Sequence, residues 1–363
     1  MADHDGWMLY GASGYTGVLL AEEAARRGLR PLLAGRSEAK LRPLAERLGM
    51  PFLAVGLEDP AALRRALKGV RAVLHCAGPF VDTAAPMVSA CLEAQAHYLD
   101  ITGERSVFQQ VLAQDAEAKT QGVCLISGVG FDVVPSDCLA RHVADQVPGV
   151  RSLEIALAML GRPSPGTYKS LFGFLPQGAW VRRSGQMKRM AYGRGVRRVR
   201  LPERDAWAMP MALADLETAY LTTRAPDITV LLVIPSRLAS ALRAVWPLVA
   251  LGMKVTRPVL ASSRVQRAAR KWADANVHGP DEARRRRTRT FVWARARNGD
   301  QVKEAWLECP DGYDFTAHSA LNAVTSVLHR APTGAITPAL AFGADFALTV
   351  PGTRRLDTLP ARS

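Results

Sequence analysis

Three glycines near the start of the chain have the spacing of a phosphate-binding loop. The stretch 11-GASGYTG-17 follows an apolar run at residues 7–10 and precedes a helical pattern. In such a unit the first glycine permits a tight turn, the second lets the backbone approach a pyrophosphate, and the third lets the helix pack closely. The helix N-terminus also favours an anion. The alternative is a purely structural turn. The predicted phosphate-binding residues are Gly11, Ser13, Gly14, Tyr15, Thr16 and Gly17.

The residues after the second predicted strand favour NADP(H) over NAD(H). NAD-specific folds place an acidic side chain there to bind the ribose diol, whereas this chain has 34-AGRSEAK-40. Arg36 can stack on adenine while its guanidinium pairs with a 2′-phosphate. Ser37 and Lys40 can complete that pocket. The alternative is a solvated surface arginine.

A small-residue turn follows the fourth predicted strand, in 75-HCAGPF-80. Such a turn suits close approach to the nicotinamide ribose, and its alternative is a simple strand-ending turn. Ala77, Gly78, Pro79 and Phe80 are therefore predicted to contact the cofactor. None of the seven tyrosines has a lysine four residues later, which argues against the short-chain reductases that use a Tyr-x-x-x-Lys pair.

Candidate proton donors follow the later predicted strands, because reduction requires a proton as well as a hydride. No single donor stands out, and Asp132 and Asp137 have the alternative role of capping turns or helices. The five cysteines lack CxxC or His/Cys spacing. We therefore expect reduced thiols, no disulfide framework and no metal site. The candidate proton donors are Tyr98, Asp100, Thr102, Glu104 and Asp132.

The positioning elements are predicted from the alternation of short apolar runs with helical patterns, which indicates a doubly wound parallel sheet. Residues 1–140 are predicted to form this Rossmann-type domain, 141–310 a second α+β domain, and 311–363 a C-terminal helical segment. Predicted strands are 7–10, 30–35, 52–57, 71–77, 97–101 and 123–127, then 152–160, 228–234 and 289–297. Predicted helices are 15–27, 38–48, 60–68, 82–95 and 105–120.

The formal net charge of +14 is concentrated in the middle of the chain. Ten basic and no acidic residues lie between Glu154 and Glu203, and eight basic and no acidic residues lie between Asp227 and Asp274. The runs 182–190 and 284–289 could bind phosphate-bearing substrates, an acidic acyl carrier protein or anionic lipid. Nucleic acid is disfavoured because these runs have few interleaved aromatic residues.

The stretch 237–254 reads as an amphipathic helix with two alternatives: a membrane-interface helix, or a core helix kinked by its proline. The N-terminal residues do not have the pattern of a signal peptide, and no apolar run reaches membrane-spanning length. We expect a cytoplasmic protein, or one held peripherally on the inner face of a membrane. The predicted polar face is Ser240, Arg243, Pro247 and Lys254, and the predicted apolar face is Leu238, Leu242, Val245, Trp246, Val249 and Met253.

Together, several of these segments resemble the saccharopine dehydrogenase-like oxidoreductases, particularly their trans-acting enoyl reductase branch. The resemblance is carried by 11-GASGYTG-17, 34-AGRS-37, 76-CAGPF-80, 98-YLDITGE-104, 128-GVGFDVVPSD-137 and 334-GAITPALAFG-343. The resemblance implies a cofactor role for the glycine loop, for Arg36 and for the 77–80 turn. It also implies that the chain leaves the Rossmann-type domain after about residue 140 and that the segment 311–363 returns to it. No motif for a substrate with two carboxylated amino acids is recognisable.

Two hypotheses of function follow. The first is an NADPH-dependent oxidoreductase that reduces a C=C or C=N bond, with an enoyl group of a lipid-like or carrier-bound acyl substrate as the favoured target. The second is a non-catalytic NADP-binding protein whose basic middle region binds membranes or partners.

Overall fold

The chain forms two compact units, each with its own sheet. The computed structural model describes residues 4–159, 161, 163–174, 178–191 and 193–359. The first unit contains the residues up to Val134 together with Gly312–Pro351, and the second contains Pro135–Asp311 and the residues from Gly352 onward. The sequence-based boundary at residue 140 falls inside a helix, Val134–Asp145.

The sheet of the first unit has seven parallel strands, in the order β15-β6-β5-β4-β1-β2-β3. This architecture confirms the predicted doubly wound fold. The seventh strand, from the C-terminal segment, is only two residues long. The strands are β1 (Trp7–Tyr10), β2 (Leu32–Gly35), β3 (Phe52–Ala54), β4 (Ala72–His75), β5 (His97–Asp100), β6 (Cys124–Ile126) and β15 (Gly334–Ala335).

Helices cover both faces of this sheet, which explains why β1 and β4 are buried at every position. Helices α1 and α13 pack together on one face, and α3, α4 and α5 line the other. The single helix predicted at 105–120 is divided into α5 and α6. The helices are α1 (Tyr15–Arg26), α2 (Glu38–Leu48), α3 (Pro60–Ala66), α4 (Phe80–Ala94), α5 (Arg105–Leu112), α6 (Asp115–Gln121), α13 (Gly312–His329) and α14 (Pro338–Phe342), followed by a 3-10 helix (Phe346–Thr349).

The second unit is built on a mixed sheet in which only one neighbouring pair is parallel. Its strands are β7 (Ser152–Ala158), β8 (Ala179–Arg183), β9 (Gln186–Met190), β10 (Arg197–Arg200), β11 (Asp205–Pro210), β12 (Asp227–Ile234), β13 (Thr290–Asn298), β14 (Gln301–Cys309) and β16 (Arg354–Leu356). The parallel pair is β7 with β12. Residue 160 of the predicted strand 152–160 lies outside the described residues.

The second sheet runs β10-β11-β12-β7-β13-β14-β16, with the β8–β9 hairpin paired to β12. The indole nitrogen of Trp306 on β14 donates a 2.7 Å hydrogen bond to the carbonyl of Arg200 on β10. Since four strands separate these two, the sheet must curl. Residues 354–356 join this sheet, whereas the sequence assigned all of 311–363 to the first unit. Backbone pairing with β14 accounts for the difference.

The helices of the second unit include a long one whose regular geometry is interrupted. Val245 has non-helical backbone angles, φ −123° and ψ 19°. Before this break, Ala239 and Leu242 are buried against Met209 and Ile234. The helices are α7 (Val134–Asp145), α8 (Pro165–Phe174), α9 (Asp215–Thr223), α10 (Ser236–Leu260), α11 (Ser263–Asn276) and α12 (Glu282–Arg287).

The apolar face predicted for residues 237–254 needs correction at Leu238, in the first turn of α10, and at Val245, where the helical geometry is broken. Leu242 is buried, whereas Leu238 and Val245 are exposed. Val249 and Met253 are half-buried. The core-helix alternative therefore describes the first part of α10. Ser240 is exposed, and the side chains of Arg243, Trp246, Pro247 and Lys254 lie outside the described residues.

Candidate cofactor and active site

The glycine loop joins β1 to α1, and steric fit explains two of its glycines. Gly11 has φ +87°, and a Cβ there would lie 2.7 Å from the backbone nitrogen of Ala77. A Cβ on Gly17 would lie 2.2 Å from the carbonyl oxygen of Gly11. Both positions therefore exclude a side chain, and α1 packs directly on the loop.

Gly14 differs from the other two glycines because it is exposed and a Cβ there would be less crowded. A Cβ there would meet only the carbonyl oxygen of Gly11, at 3.3 Å. Gly14 is also the N-cap of α1, whose first turn has no acidic residue and whose cap residue has no side-chain hydrogen bond. The N-terminus of α1 therefore presents backbone donors and a partial positive charge at an exposed glycine, as an anion-binding cradle requires.

The hydroxyls of Ser13 and Thr16, in the glycine loop, are also available to bind a phosphate. Ser13, Tyr15 and Thr16 are half-buried. Within the described residues, the side chains of Ser13 and Thr16 make no hydrogen bond. They can therefore donate to a phosphate oxygen without breaking an existing bond.

The position of this loop in the sheet is the one expected for a nucleotide. β1 has β4 on one side and β2 on the other. The connections on the two sides of β1 therefore lead away from each other and leave a crevice between them. Open α/β sheets bind ligands in such a crevice, beyond the carboxyl ends of the strands. The near-contact of Gly11 with Ala77 shows that the loops after β1 and β4 are adjacent at this point.

Arg36 lies directly after β2, and its side chain is exposed. Among the described residues it forms no ion pair. Glu38, the acidic residue nearest to Arg36 in the sequence, pairs with Arg42 in the first turn of α2. Ser37 is the N-cap of α2 without a side-chain hydrogen bond, and Lys40 is exposed. This edge thus offers two cations and a hydroxyl and lacks the acidic partner typical of NAD-binding folds.

The turn after β4 is fixed by Thr83, whose hydroxyl donates to the carbonyl of Ala77 at 2.7 Å. Gly78 is exposed, and Ala77 and Pro79 are half-buried. Phe80 differs from its prediction, because its ring is buried in the core beside His75. Its side chain belongs to the fold, and only the 77–79 backbone remains open to a cofactor.

Glu104 has a structural role that its sequence position does not indicate. Its carboxylate accepts hydrogen bonds from the backbone N–H groups of Phe80, at 3.3 Å, and Val81, at 2.9 Å. These are the first two residues of α4, so Glu104 caps that helix from another loop. The hydroxyl of Thr102 in turn accepts a 3.0 Å bond from the backbone N–H of Glu104.

Tyr98 and Asp100 are fully buried, so neither is placed to transfer a proton to a bound substrate. The Asp100 carboxylate accepts bonds from the Tyr98 hydroxyl at 2.9 Å and the Ser127 hydroxyl at 2.8 Å. It also accepts bonds from the backbone N–H groups of Thr102 and Gly128, both at 2.9 Å. Burial raises the pKa of Asp100, and these bonds oppose that rise. Asp100 therefore joins the ends of β5 and β6.

Asp132 is the one predicted carboxylate of this edge with a large accessible surface, although many protein atoms also surround its carboxyl group. Its pKa is raised from 3.8 to about 6, first because surrounding protein desolvates the carboxyl and second because Glu104 is negatively charged. A Cβ on Gly103 would lie 3.0 Å from the Cβ of Asp132. Asp132 therefore lies against the loop after β5.

The loop that carries Asp132 is held in place by the returning helix α13. The backbone N–H of Phe131 donates to the Thr316 hydroxyl at 3.0 Å, and the Ser319 hydroxyl donates to the carbonyl of Val129 at 2.8 Å. This support joins distant parts of the chain, so the local sequence does not reveal it. Asp137, by contrast, is buried and accepts a 2.7 Å bond from Thr222, which makes it structural.

Tyr313 is a further residue of this region that no sequence motif indicated. It lies at the start of α13, and its ring packs edge-on against that of Tyr15, with centroids 4.9 Å apart. Tyr15 opens α1 beside the exposed Gly14. An aromatic residue from the C-terminal segment is thereby brought next to the phosphate cradle.

The two basic runs of the second unit are largely engaged within the chain. Arg182 is buried, and its guanidinium bonds to Glu217 at 2.6 Å and to two carbonyl oxygens. Arg183 donates to the Thr229 hydroxyl at 3.0 Å, and Arg286 pairs with Glu282. The expectation that the run 182–190 binds phosphate or an acidic partner therefore fails for Arg182, because its donors are already used.

The family resemblance can be tested against known proteins. Residues 7–126 match the family model described as the saccharopine dehydrogenase NADP binding domain. This part of the chain is therefore similar to the NADP-binding domain of saccharopine dehydrogenase. The match confirms the predicted resemblance and the predicted nicotinamide cofactor. It covers β1 to β6, and therefore the glycine loop, Arg36 and the turn after β4.

Similar proteins carry related names. The chain is 32% identical over 199 residues to a mouse saccharopine dehydrogenase-like oxidoreductase, covering 47% of this chain and 46% of the relative. It is 31% identical over 144 residues to a trans-acting enoyl reductase of Mycobacterium ulcerans, covering 38% of this chain and 34% of the relative. The chain thus matches about half the length, or less, of these curated relatives.

One solved structure resembles the chain over most of its length. Apo saccharopine dehydrogenase (L-Glu forming) from Saccharomyces cerevisiae aligns with a TM-score of 0.64 and 12% identity, covering 96% of this chain and 99% of that one. At this identity the likeness concerns the fold. Among the helices of the described residues, none is both long and apolar enough to cross a membrane.

Proposed function

We propose that the protein is an NADPH-dependent reductase that acts on the C=C bond of a lipid-like or carrier-bound acyl substrate. The observation that supports the cofactor choice most strongly is Arg36, exposed beyond β2 at the same sheet edge as the open Gly14 cradle. The acyl substrate is suggested by the resemblance to proteins named trans-acting enoyl reductase.

Different residues of the first unit would bind different parts of the cofactor. The N-terminus of α1, with Gly14, Tyr15 and Thr16, holds the pyrophosphate together with Gly11, Ser13 and Gly17 of the same loop. Arg36, with Ser37 and Lys40, holds the 2′-phosphate on the β2 side of the switch point. The backbone of residues 77–79 lies against the nicotinamide ribose on the β4 side.

The protein must supply the proton of the reduction. When bound, a reduced nicotinamide would supply a hydride, which is one hydrogen nucleus with two electrons, for one carbon of the double bond. In the molecules in which the Asp132 carboxyl is protonated, it donates that proton to the other carbon, and water then reprotonates it. A raised pKa suits this role because a useful acid has a pKa near the working pH. The buried Tyr98, Asp100, Thr102 and Glu104 hold the loops in position.

Turnover of a substrate panel tests the proposal. The full chain is mixed with NADPH and a range of enoyl thioesters and imines, and the loss of NADPH absorbance is followed. We expect turnover of an enoyl substrate. Asp132→Asn should lower kcat by roughly 100-fold or more while leaving NADPH affinity unchanged, and Asp300→Asn, in an exposed turn, serves as the control.

The non-catalytic hypothesis makes a different forecast for the same experiment. Tight NADPH binding without turnover of any enoyl or imine substrate would contradict the reductase and favour an NADP-binding protein without catalysis. Turnover that survives in Asp132→Asn would leave a reductase but remove Asp132 as the proton donor.

A further inference from the structure

Helix α10 carries an unusual concentration of exposed apolar side chains. Among the described residues, six of the twelve large apolar side chains that are exposed belong to this helix. After the break at Val245, the exposed fractions are 69% for Leu248, 60% for Leu251, 69% for Val255 and 62% for Val259. Their spacing of three, four and four residues places them on one helical face. We define these four residues as the apolar stripe.

The apolar stripe lies on the side of α10 that does not pack on the unit. Val249 packs against the cluster formed by Met209, Ile234 and Leu242. Its neighbours Leu248 and Leu251 remain exposed. The helix is therefore anchored along one side, with aliphatic side chains left in water on another. Exposed apolar patches of this kind usually mark an interaction site.

The charge around the apolar stripe is positive. Between Asp227 and Asp274 the chain has eight basic residues and no acidic residue. On α11, which follows α10 after two residues, Arg264, Arg267 and Lys271 are exposed at spacings of three and four. Within the described part of the chain, no ion pair involves these three side chains. They differ in this respect from Arg182 and Arg286, whose charges are paired.

Exposed aliphatic side chains beside unpaired cations match the chemistry of an anionic lipid surface. A second copy of this chain fits less well, because pairing two such segments would bring like charges together without acidic residues to separate them. We propose that the apolar stripe of α10 inserts into the interface of an anionic membrane, with the α11 cations at the lipid head groups. This proposal does not depend on the reductase activity.

Vesicle binding tests the proposal with the full chain. Flotation is measured with vesicles of phosphatidylcholine alone and of phosphatidylcholine mixed with phosphatidylglycerol. We expect binding to the anionic vesicles that weakens with added salt. The triple variant Leu248→Ser, Leu251→Ser, Val255→Ser should bind these vesicles at least about tenfold more weakly, because it loses apolar area that the membrane would bury. The variant Arg264→Gln, Arg267→Gln, Lys271→Gln should lose the preference for anionic lipid.

A control variant, Val302→Ser and Leu340→Ser, removes two exposed apolar side chains elsewhere, which are 49% and 39% exposed. It should bind vesicles like the unaltered protein. NADPH titration and thermal unfolding check that each variant is folded, and they separate this proposal from the reductase proposal. Absence of binding to anionic vesicles, or equal binding by the triple variant, would overturn the proposal. So would a dimer, detected by sedimentation without lipid binding, that the triple variant abolishes.

Discussion

Arg36 and Arg182 both lie at strands and both stand out in the sequence as basic residues that could bind an anion. Arg36 is exposed beyond the end of β2, whereas Arg182 is buried in β8 with Glu217, two carbonyl oxygens and the ring of Tyr220 as partners. The same side chain is therefore available for a ligand in one unit and used for stability in the other. Tertiary partners decide this, because local sequence does not show which donors are already satisfied.

The largest contrast is expected from removing each guanidinium. Arg182→Met leaves Glu217 without its buried partner, so we expect a loss of about 3–5 kcal/mol in the free energy of unfolding. Arg36→Met removes an exposed charge and should change stability by about 0.5 kcal/mol or less. Urea denaturation measures both variants. Similar losses for the two would mean that the comparison between them is wrong.

The glycine loop offers a contrast within a single motif. Gly17→Ala places a Cβ against the carbonyl oxygen of Gly11, and overpacking should reduce stability by about 3 kcal/mol even without cofactor. Gly14→Ala meets only the carbonyl oxygen of Gly11, at 3.3 Å, so it should cost much less stability than Gly17→Ala while weakening NADPH binding. Thermal unfolding and NADPH titration distinguish the two. A stable Gly17→Ala variant would show that the helix does not need this close approach.

The first unit could be predicted well because its information is local. Six apolar runs separated by helical patterns indicated the six main strands, and the glycine loop indicated which strand end would bind the cofactor. The strand β15 was not predicted because Gly334–Ala335 is too short to show a period. In the second unit, the helical geometry of α10 is broken at Val245. The sequence pattern placed Leu238 and Val245 on the apolar face of this helix, whereas both are exposed.

An effect of intermediate size is expected on the preference for NADPH over NADH. Arg36→Ala should weaken NADPH binding by about 2 kcal/mol, or roughly 30-fold, because a charge-assisted bond to the 2′-phosphate is lost. NADH lacks that phosphate, so its affinity should change little. Fluorescence titration gives both dissociation constants, with Arg42→Ala, already paired to Glu38, as the control. Equal losses for both cofactors would refute the assignment of the 2′-phosphate to Arg36.

The candidate site was only partly visible in the sequence. The glycine loop and Arg36 could be proposed as cofactor-binding residues because each is recognised from a short continuous stretch of sequence. The roles of Glu104 and Tyr313 could not, because Glu104 caps a helix 24 residues earlier and Tyr313 packs on Tyr15 from the far end of the chain. Long-range contacts of this kind follow from the fold and leave no local pattern.

The smallest expected effect concerns Asp132 and pH. Its folded-state pKa of about 6 lies above the ordinary 3.8, so ionising it costs stability as the pH rises from about 4 to about 6. Asp132→Asn should be more stable than the unaltered protein above pH 6, by about 1 kcal/mol after allowing for solvent screening. The difference should disappear below about pH 4. Urea titrations across this range measure it, and a difference independent of pH would show that the carboxyl is not perturbed.

Transfer of deuterium tests most directly whether the first unit binds NADPH for a reduction. NADPH deuterated at the 4R or the 4S position is supplied with an enoyl thioester that the protein turns over, and the product is examined by mass spectrometry. A single orientation of the nicotinamide at the edge formed by the glycine loop and residues 77–79 predicts deuterium in the product from one of the two forms only. Deuterium from both forms, or from neither, would contradict the proposed site.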